Sequence, residues 1–427
     1  MSTPVGPLSP LSGAVSASGP PSSLVHIMAS DGTRLSPLPG TPERRMSASP
    51  GSPWSSAPFP LERGLVDTRI RKIRPLIPPA CLLEELPTPI HTQAHIIRAR
   101  REAHRIIQGD DERLIVVIGP CSIHDSAAAL EYARKLVPLV EKYKGDLHIC
   151  MRAYLEKPRT TVGWKGLIND PDLDGSFNIN TGLRVSRKLL LELNEIGLPL
   201  AMEMLDTITP QFLADLISWG AIGARTTESQ LHRELVSGLS MPIGFKNGTG
   251  GSCKIATDAI VASRSPHSFL SVTSQGLAAI VETTGNPDCH LVLRGADHGP
   301  NYERKYVDEA VAALKAVKAP PAVMVDASHG NSRKDHRRQM EVVEDVAQQL
   351  GDASHPNGRH IVGVMVESHL VEGAQKLDCA VGVKDKLKYG QSVTDACIGW
   401  SDTEKVLARL AEGVQARRKA FGIVAKH

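Results

Sequence analysis

Residues 114–143 read LIVVIGPCSIHDSAAALEYARKLVPLVEKY. The first five form an unbroken apolar, mostly β-branched run, too short for a buried helix and followed by a Gly-Pro step. They predict a strand covered on both faces over 114–118. From 127 to 143 the apolar residues recur at helical spacing, which predicts an amphipathic helix. Cys121 stands in the loop between them, just past the end of the strand. Strand, polar loop and helix make one βα unit, and the rest of the chain decides how often it recurs.

Seven more buried strands are predicted by apolar runs at 148–153, 198–204, 221–225, 242–246, 290–294, 322–326 and 361–367. Helical patterns at 183–196, 210–219, 230–239, 307–317, 336–350 and 403–418 fall between or after them, the last opened by a capping box of Ser401 and Glu404. Eight strands alternating with helices over about 300 residues predict an α/β fold, a (β/α)8 or TIM barrel, in preference to an open doubly wound sheet. Residues 269–284 break the rhythm with two short alternating runs around Gly276, and predict an inserted β-hairpin within a segment near 267–286. Upstream, residues 1–60 contain 14 Ser, 12 Pro and 6 Gly and no Lys, a composition that cannot build a core and predicts a disordered tail. The Ser-Pro and Thr-Pro steps at Thr3, Ser9, Ser36, Thr41, Ser49 and Ser52 follow from that abundance. The predicted organisation is a tail over 1–60, an N-terminal arm and helix over 61–110, and a catalytic barrel over 111–427.

At 427 residues the chain can bury a sizeable core. Lys plus Arg number 49 against 46 for Asp plus Glu, a formal net charge of +3, which argues against nucleic acid or an anionic membrane as the main partner. No apolar run approaches the roughly 18 residues that a bilayer crossing requires. The N-terminal stretch lacks the basic start and apolar middle of a secretory signal, and its prolines spoil the helix of a mitochondrial presequence. Seven cysteines with no CxxC pair fit neither a disulfide framework nor a structural zinc knuckle, and predict a reducing compartment, the cytoplasm.

The residues at and just past the end of each predicted strand carry the functional reading. The strand ends deliver Cys121, then Arg152 with Lys157, Pro158, Arg159 and Thr160, then Glu203, Arg225, Lys246, Arg294, His329 and Glu367. In a barrel these converge on the C-terminal rim, where catalysis takes place. Six cations there (Arg152, Lys157, Arg159, Arg225, Lys246 and Arg294) in a chain of near-zero net charge predict a polyanionic substrate, most simply phosphorylated small molecules. Cys121, His329 and Glu367, on strands that adjoin when the barrel closes, combine thiol, imidazole and carboxylate and fit one first-row divalent ion, Mn, Fe, Co or Zn. Asp395 is available as a fourth ligand, although spacing does not select it. Gly248-Thr249-Gly250-Gly251 lacks any nucleotide-binding spacing, and His124, His298, His369 and Cys397 have no placement that favours chemistry over structure.

Long runs carry a resemblance: IGPCSIHD at 118–125, EKPRTTVGWKGLINDP at 156–171, GFKNGT at 244–249, DASHGN at 326–331 and SVTDACIGW at 392–400. Over about residues 65–420 the chain resembles the type I 3-deoxy-D-arabino-heptulosonate 7-phosphate (DAHP) synthases of the feedback-regulated microbial group. These condense phosphoenolpyruvate with erythrose 4-phosphate and release phosphate at the entrance to the shikimate pathway. The resemblance implies that Cys121, His329, Glu367 and Asp395 hold the divalent metal. It implies that Arg152, Lys157, Gly223, Ala224, Arg225, Lys246 and Arg294 bind phosphoenolpyruvate, and that Pro158, Arg159 and Thr160, with Asp395, receive erythrose 4-phosphate. Lys157, Glu203 and His329 are the implied catalytic groups.

The same resemblance implies a homo-oligomer inhibited by an aromatic amino acid, bound by Asp67, Pro210, Gln211, Ala214, Leu235, Leu239, Ser240, Phe269, Ser271 and Val281. The chain departs from the family pattern in its long tail, in Gly250-Gly251 after Thr249, and in Gly295-Ala296-Asp297-His298 after the sixth strand. A 3-deoxy-octulosonate 8-phosphate synthase, which takes a five-carbon sugar phosphate, carries Asn where this chain has Pro158. A catalytically silent sensor on the same barrel would lack a ligand or a cation, and none of the expected ones is missing.

Overall fold

The computed structural model describes residues 65–424, which fall into two units dividing between Ile73 and Arg74. The tail expected over 1–60 lies outside the described residues. In the first unit, residues 65–73 run as turns and extended chain, and Leu65, Val66, Ile70 and Ile73 are exposed. Asp67 has a left-handed backbone (φ 58°), and its carbonyl accepts from the Ile70 amide at 3.0 Å.

The second unit begins with α1 (Pro79–Glu85) and α2 (Ile90–Gln108), followed by β1 (Leu114–Gly119), α3 (Ser126–Tyr143), β2 (Leu147–Arg152), α4 (Ile179–Glu195) and β3 (Leu200–Glu203). It continues with α5 (Pro210–Leu213), β4 (Trp219–Ile222), α6 (Gln230–Ser237), β5 (Ile243–Lys246) and α7 (Cys253–Ser263). Then come β6 (Ser268–Val272), β7 (Ala278–Glu282), β8 (Cys289–Leu293), α8 (Arg304–Ala316), β9 (Val323–Asp326), α9 (Gln339–Gly351) and β10 (Ile361–Glu367). A short pair, β11 (Val371–Ala374) and β12 (Gln391–Ser392), precedes the closing helix α10 (Trp400–Phe421).

Eight of these strands close a parallel barrel in the order β1-β10-β9-β8-β5-β4-β3-β2, while β6 and β7 form a separate antiparallel hairpin. The strands are buried on both faces, as their unbroken apolar runs require. Leu114, Val116 and Ile118 pack outward with the helices, whereas Ile115 and Val117 face inward with Ala201, Trp219, Val292, Met324 and Met365. Register pairs Gly119 with Glu367, so β1 and β10 end side by side at the rim. The hairpin pairs Phe269 with Val281 and Ser271 with Ala279, and its tip accepts the Ala80 amide of α1 at Ser274 O, 2.7 Å away.

Several boundaries differ from the sequence pattern. The helix expected over 210–219 stops early: α5 ends at Leu213, a 3-10 turn runs to Leu216, and Trp219 opens β4. Its apolar residues suit either element, and burial inside the barrel decides. Strand β4 therefore ends at Ile222, and Arg225 belongs to the following loop. The capping box does not form, because α10 starts at Trp400 behind Gly399, leaving Ser401 inside the helix. Helices α1 and α7 have no counterpart in the sequence pattern.

One close approach ties a barrel helix to the chain that follows Lys157. A Cβ on Gly182, inside α4, would lie 2.0 Å from Ile168 O and 2.8 Å from Leu167 O. The helix can therefore approach that backbone only with a glycine there. Gly182→Ala should destabilise the protein by about 1–3 kcal/mol through overpacking. The expected result is a lower urea midpoint at unchanged m-value; an unshifted midpoint contradicts this packing.

Candidate active site

Each barrel strand, or the loop that follows it, places a polar side chain at one mouth. Arg152 is the last residue of β2 and is 1% exposed. Its guanidinium donates to Glu367 Oε1 at 3.0 Å, to Pro120 O at 3.0 Å and to Cys121 O at 3.2 Å, and lies 3.5 Å from the centre of the Tyr154 ring. Gly119 (φ 151°) lets β1 pass this close, since a Cβ there would meet Arg152 O at 2.9 Å. Lys157 donates to Cys121 Sγ at 2.8 Å and to Asp395 Oδ2 at 2.9 Å. Burial works against its charge, but Cys121, Glu367 and Asp395 outweigh that and hold the Lys157 pKa above the ordinary lysine value.

The acids respond in kind. Burial opposes ionisation of Glu367, yet His329, Arg152 and Lys157 more than compensate and hold its carboxyl below the usual range. Its other oxygen accepts from the Ser328 hydroxyl at 2.8 Å. Asp395 is held low in the same way, chiefly by Lys157 against its own burial. Glu203 ends β3, and Gly223 makes room for it: a Cβ on Gly223 would sit 2.3 Å from Glu203 Oε1. Thr227 donates to Lys246 O at 2.8 Å, and Asn247 accepts from the Arg294 amide at 2.8 Å, fixing the cation that ends β5 and the one that follows β8.

The mouth opens into a cavity of about 360 Å³. Arg152, Lys157, Pro158, Arg159, Thr160, Glu203, Gly223, Ala224, Arg225, Lys246, Arg294, His329, Glu367 and Asp395 all line it. Cys121 lies beneath, fully buried. Ser332, Lys334 and His336 line it too and carried no role in the sequence reading; nothing marked them beyond their place after the seventh barrel strand.

The donor set fits the divalent ion that the fold family implies. Cys121, Glu367 and Asp395 offer one ligand atom each, all within 4.8 Å of one another. His329 stands on the Glu367 edge of this group, Nε2 4.0 Å from Oε1, while its Nδ1 is 2.9 Å from Asp326 Oδ2. Two ligands on one ion stand about 3–4 Å apart when each is about 2.0–2.3 Å from it, a spacing this group can adopt. Burial and Glu367 push the Cys121 thiol up to about 11, and coordination is what makes such a thiol a thiolate near neutral pH. Asp326 was legible as a strand end, but its contact with both His329 and Lys246 was not.

Of the histidines and the cysteine set aside in the sequence, His298 is exposed and the others are buried. His124 and His369 are buried with their rings 6.5 Å apart, and Cys397 is buried with Sγ 3.6 Å from Asp395 O. Glu156, just before Lys157, is 4% exposed. Burial and the nearby Asp206 and Glu203 push its carboxyl up to about 8.

A second cavity, also about 360 Å³, lies between α5, α6 and the hairpin. Pro210, Gln211, Ala214, Leu235, Leu239, Ser240, Phe269, Ser271 and Val281 line it, with Arg100, Asp215 and Thr283 as further polar walls. Asp67, the tenth residue expected there, belongs to the first unit.

Similar proteins agree with this geometry. The profile of the DAHP synthetase I family matches residues 88–408. The Phe-sensitive phospho-2-dehydro-3-deoxyheptonate aldolase of Escherichia coli K12 is 57% identical over 352 residues, 82% of this chain and 98% of that protein. The phenylalanine-inhibited enzyme of Saccharomyces cerevisiae is 52% identical over 84% of this chain and 96% of its own length. The tyrosine-inhibited one of Schizosaccharomyces pombe is 51% identical over 83% and 94%. The solved phospho-2-dehydro-3-deoxyheptonate aldolase of Francisella tularensis SCHU S4 superimposes with a TM-score of 0.78 at 52% identity, covering 82% of this chain and 99% of that one. With the profile and these relatives spanning the barrel that carries the cation-lined mouth and the thiol-carboxylate ligand set, the chain belongs to the DAHP synthetase I family.

Proposed function

We infer that the chain condenses phosphoenolpyruvate with D-erythrose 4-phosphate and water to DAHP and inorganic phosphate, the first step of the shikimate pathway, under inhibition by an aromatic amino acid. One observation supports this above the others: a single cavity is lined by the six expected cations, Arg152, Lys157, Arg159, Arg225, Lys246 and Arg294, together with Glu367 and Asp395 of the thiol-carboxylate ligand set. Two phosphorylated substrates need that many cations, held so that only their reacting carbons meet.

In this reading Arg152, Lys157, Arg225, Lys246 and Arg294, with the Gly223 and Ala224 backbone, hold the phosphate and carboxylate of phosphoenolpyruvate. Pro158, Arg159 and Thr160 receive the sugar and its phosphate on the loop after β2. Cys121, His329, Glu367 and Asp395 hold one divalent ion, Mn, Fe, Co or Zn, which when bound supplies Lewis acidity towards the aldehyde oxygen. C3 of phosphoenolpyruvate attacks the aldehyde carbon, and Lys157, kept protonated by its anionic neighbours, gives its proton to the developing alkoxide. Glu203 orients the water that adds at C2. The Arg and Lys cluster stabilises the phosphohemiketal and then the departing phosphate. The second cavity is the effector site. The assembly is a homo-oligomer in the cytoplasm, and among the described residues no helix is long and apolar enough to cross a membrane.

Two experiments check this, and a third checks the charge state of the buried acid next to Lys157. Purified protein with Mn should release phosphate from phosphoenolpyruvate with erythrose 4-phosphate but not with arabinose 5-phosphate, and exhaustive chelation should abolish turnover. Phosphate release with the five-carbon sugar alone, or full activity without metal, contradicts the reading. Ser240→Phe should fill the effector cavity, relieving aromatic amino acid inhibition while kcat stays near the parent value; unchanged inhibition removes that assignment. The third concerns Glu156. Unfolded, it ionises near 4.5; folded, it keeps its proton to about 8, so the native state binds the extra proton between those values and stability falls as pH rises. Glu156→Gln should flatten that slope, the two proteins diverging by roughly a few kcal/mol between about pH 5 and about pH 8 in urea unfolding. Parallel slopes would show that Glu156 ionises normally.

A further inference from the structure

We propose that Asp326 is a positioning residue that makes the hold of Lys246 on phosphoenolpyruvate depend on whether His329 and its fellow ligands carry their divalent ion. The proposal rests on the proposed function and deepens it.

A single oxygen atom links the two groups. Asp326 Oδ2 is 2.8 Å from Lys246 Nζ and 2.9 Å from His329 Nδ1, on a carboxylate with none of its surface in water. The other oxygen, Oδ1, accepts from the Ser328 amide at 3.0 Å, and the Asp326 carbonyl accepts from Asn331 Nδ2 at 2.8 Å. The carboxylate is thus fixed at the end of β9 and cannot follow either cationic partner. Lys246 donates to this oxygen while the edge of the imidazole competes for it electrostatically, so a more positive ring loosens the oxygen's hold on the lysine.

His329 faces Asp326 through Nδ1 and so turns Nε2 towards Glu367. The chain holds this pose against its own preference: His329 has a left-handed backbone (φ 54°), and its carbonyl is pinned by the Lys334 amide at 2.9 Å and the Ser332 hydroxyl at 3.3 Å. A cation on Nε2 draws electron density from the ring and makes its Nδ1 edge more positive, so the carboxylate oxygen 2.9 Å away is attracted to it more strongly. Lys246, which is 4% exposed and lines the substrate cavity, then leans less on Asp326 and more on the anion in that cavity. Ion binding and phosphoenolpyruvate binding are therefore coupled, and linkage makes the coupling reciprocal.

The ion's own charge also attracts phosphoenolpyruvate directly, and calorimetry separates that part of the coupling from the part that passes through Asp326. Phosphoenolpyruvate is titrated into the full chain, chelated and then Mn-loaded, and the ratio of the two dissociation constants is the coupling factor. The parent is expected to bind several-fold more tightly when loaded. In Asp326→Asn the factor should fall to the smaller value set by the ion's direct attraction alone, and Asp326→Glu, which keeps the charge but displaces the oxygen, should lie between. Cobalt titration followed by the Cys121 thiolate-to-cobalt absorption should show ion affinity reduced about 10- to 100-fold in Asp326→Asn. An undiminished factor in both variants overturns the proposal, as does a factor of one in the parent. A parent that binds no phosphoenolpyruvate in either state overturns the proposed function itself.

Discussion

Arg152 and Glu367 form an ion pair 3.0 Å long, with side chains 1% and 0% exposed. Taking two charges out of water costs several kcal/mol for each, so such a pair persists only if further hydrogen bonds satisfy what the pair leaves open. Here they do: carbonyls of the loop after β1 accept from Nε and Nη2 of the guanidinium, Met365 Sδ accepts from Nη1, and Ser328 donates to the free carboxylate oxygen. Because Arg152 is on β2 and Glu367 on β10, the pair spans the strand β1 that separates them. The mouth of the barrel is thereby fixed in register before any ligand arrives.

The other functional groups hang from that pair. Lys157 is drawn to Cys121 and Asp395, and Lys246 to Asp326, so buried cations at the mouth have buried or facing anions of this same site as partners. Charges arranged this way are preorganised: an incoming dianion exchanges partners with cations already desolvated, and little reorganisation remains for the reaction. Arg159 and Arg225 are exposed and stand at the rim, where a substrate meets them first.

The barrel and its ligand types were legible because both depend on local pattern. Eight apolar runs each followed by a polar group is a statement about neighbours in sequence, and Cys121, Glu203 and Glu367 could be placed from it alone. Asp395 could not, since it follows β12 in an excursion whose path no spacing fixes; only the resemblance supplied it. Asp326 was visible as the end of β9, yet nothing in DASHGN says that its side chain meets a lysine from β5 across β8. Glu156 escaped because its perturbation comes from burial, with Asp206 and Glu203, far along the chain, adding to it. The misplaced end of the 210–219 helix has the same origin, for Trp219 is set by the barrel interior and not by its flanking residues.

The opposite end of the barrel shows what the mouth forgoes. Just before β1, Arg113 is paired with Asp111 at 2.8 Å and Glu102 at 3.2 Å, and Glu102 also meets His148, near the start of β2, at 3.1 Å. Burial opposes protonation of His148, but Cys150 and Glu102 outweigh it and raise its pKa to about 9. Between the two ends, His290 is held down to about 4 by burial and accepts from the Trp219 indole at 3.3 Å, so the middle of the barrel is closed by a neutral pair. At the bottom, each of these charges is matched within the protein and no ligand is needed to complete the set, so β1 and β2 are anchored there by interactions that serve stability alone. At the top, two buried acids, Glu367 and Asp326, are each shared between a lysine or arginine and His329. Shared partners can be exchanged without leaving a charge uncompensated, so the rim ends of β9 and β10 carry charges open to exchange, whereas those at the other end of β1 and β2 are already matched.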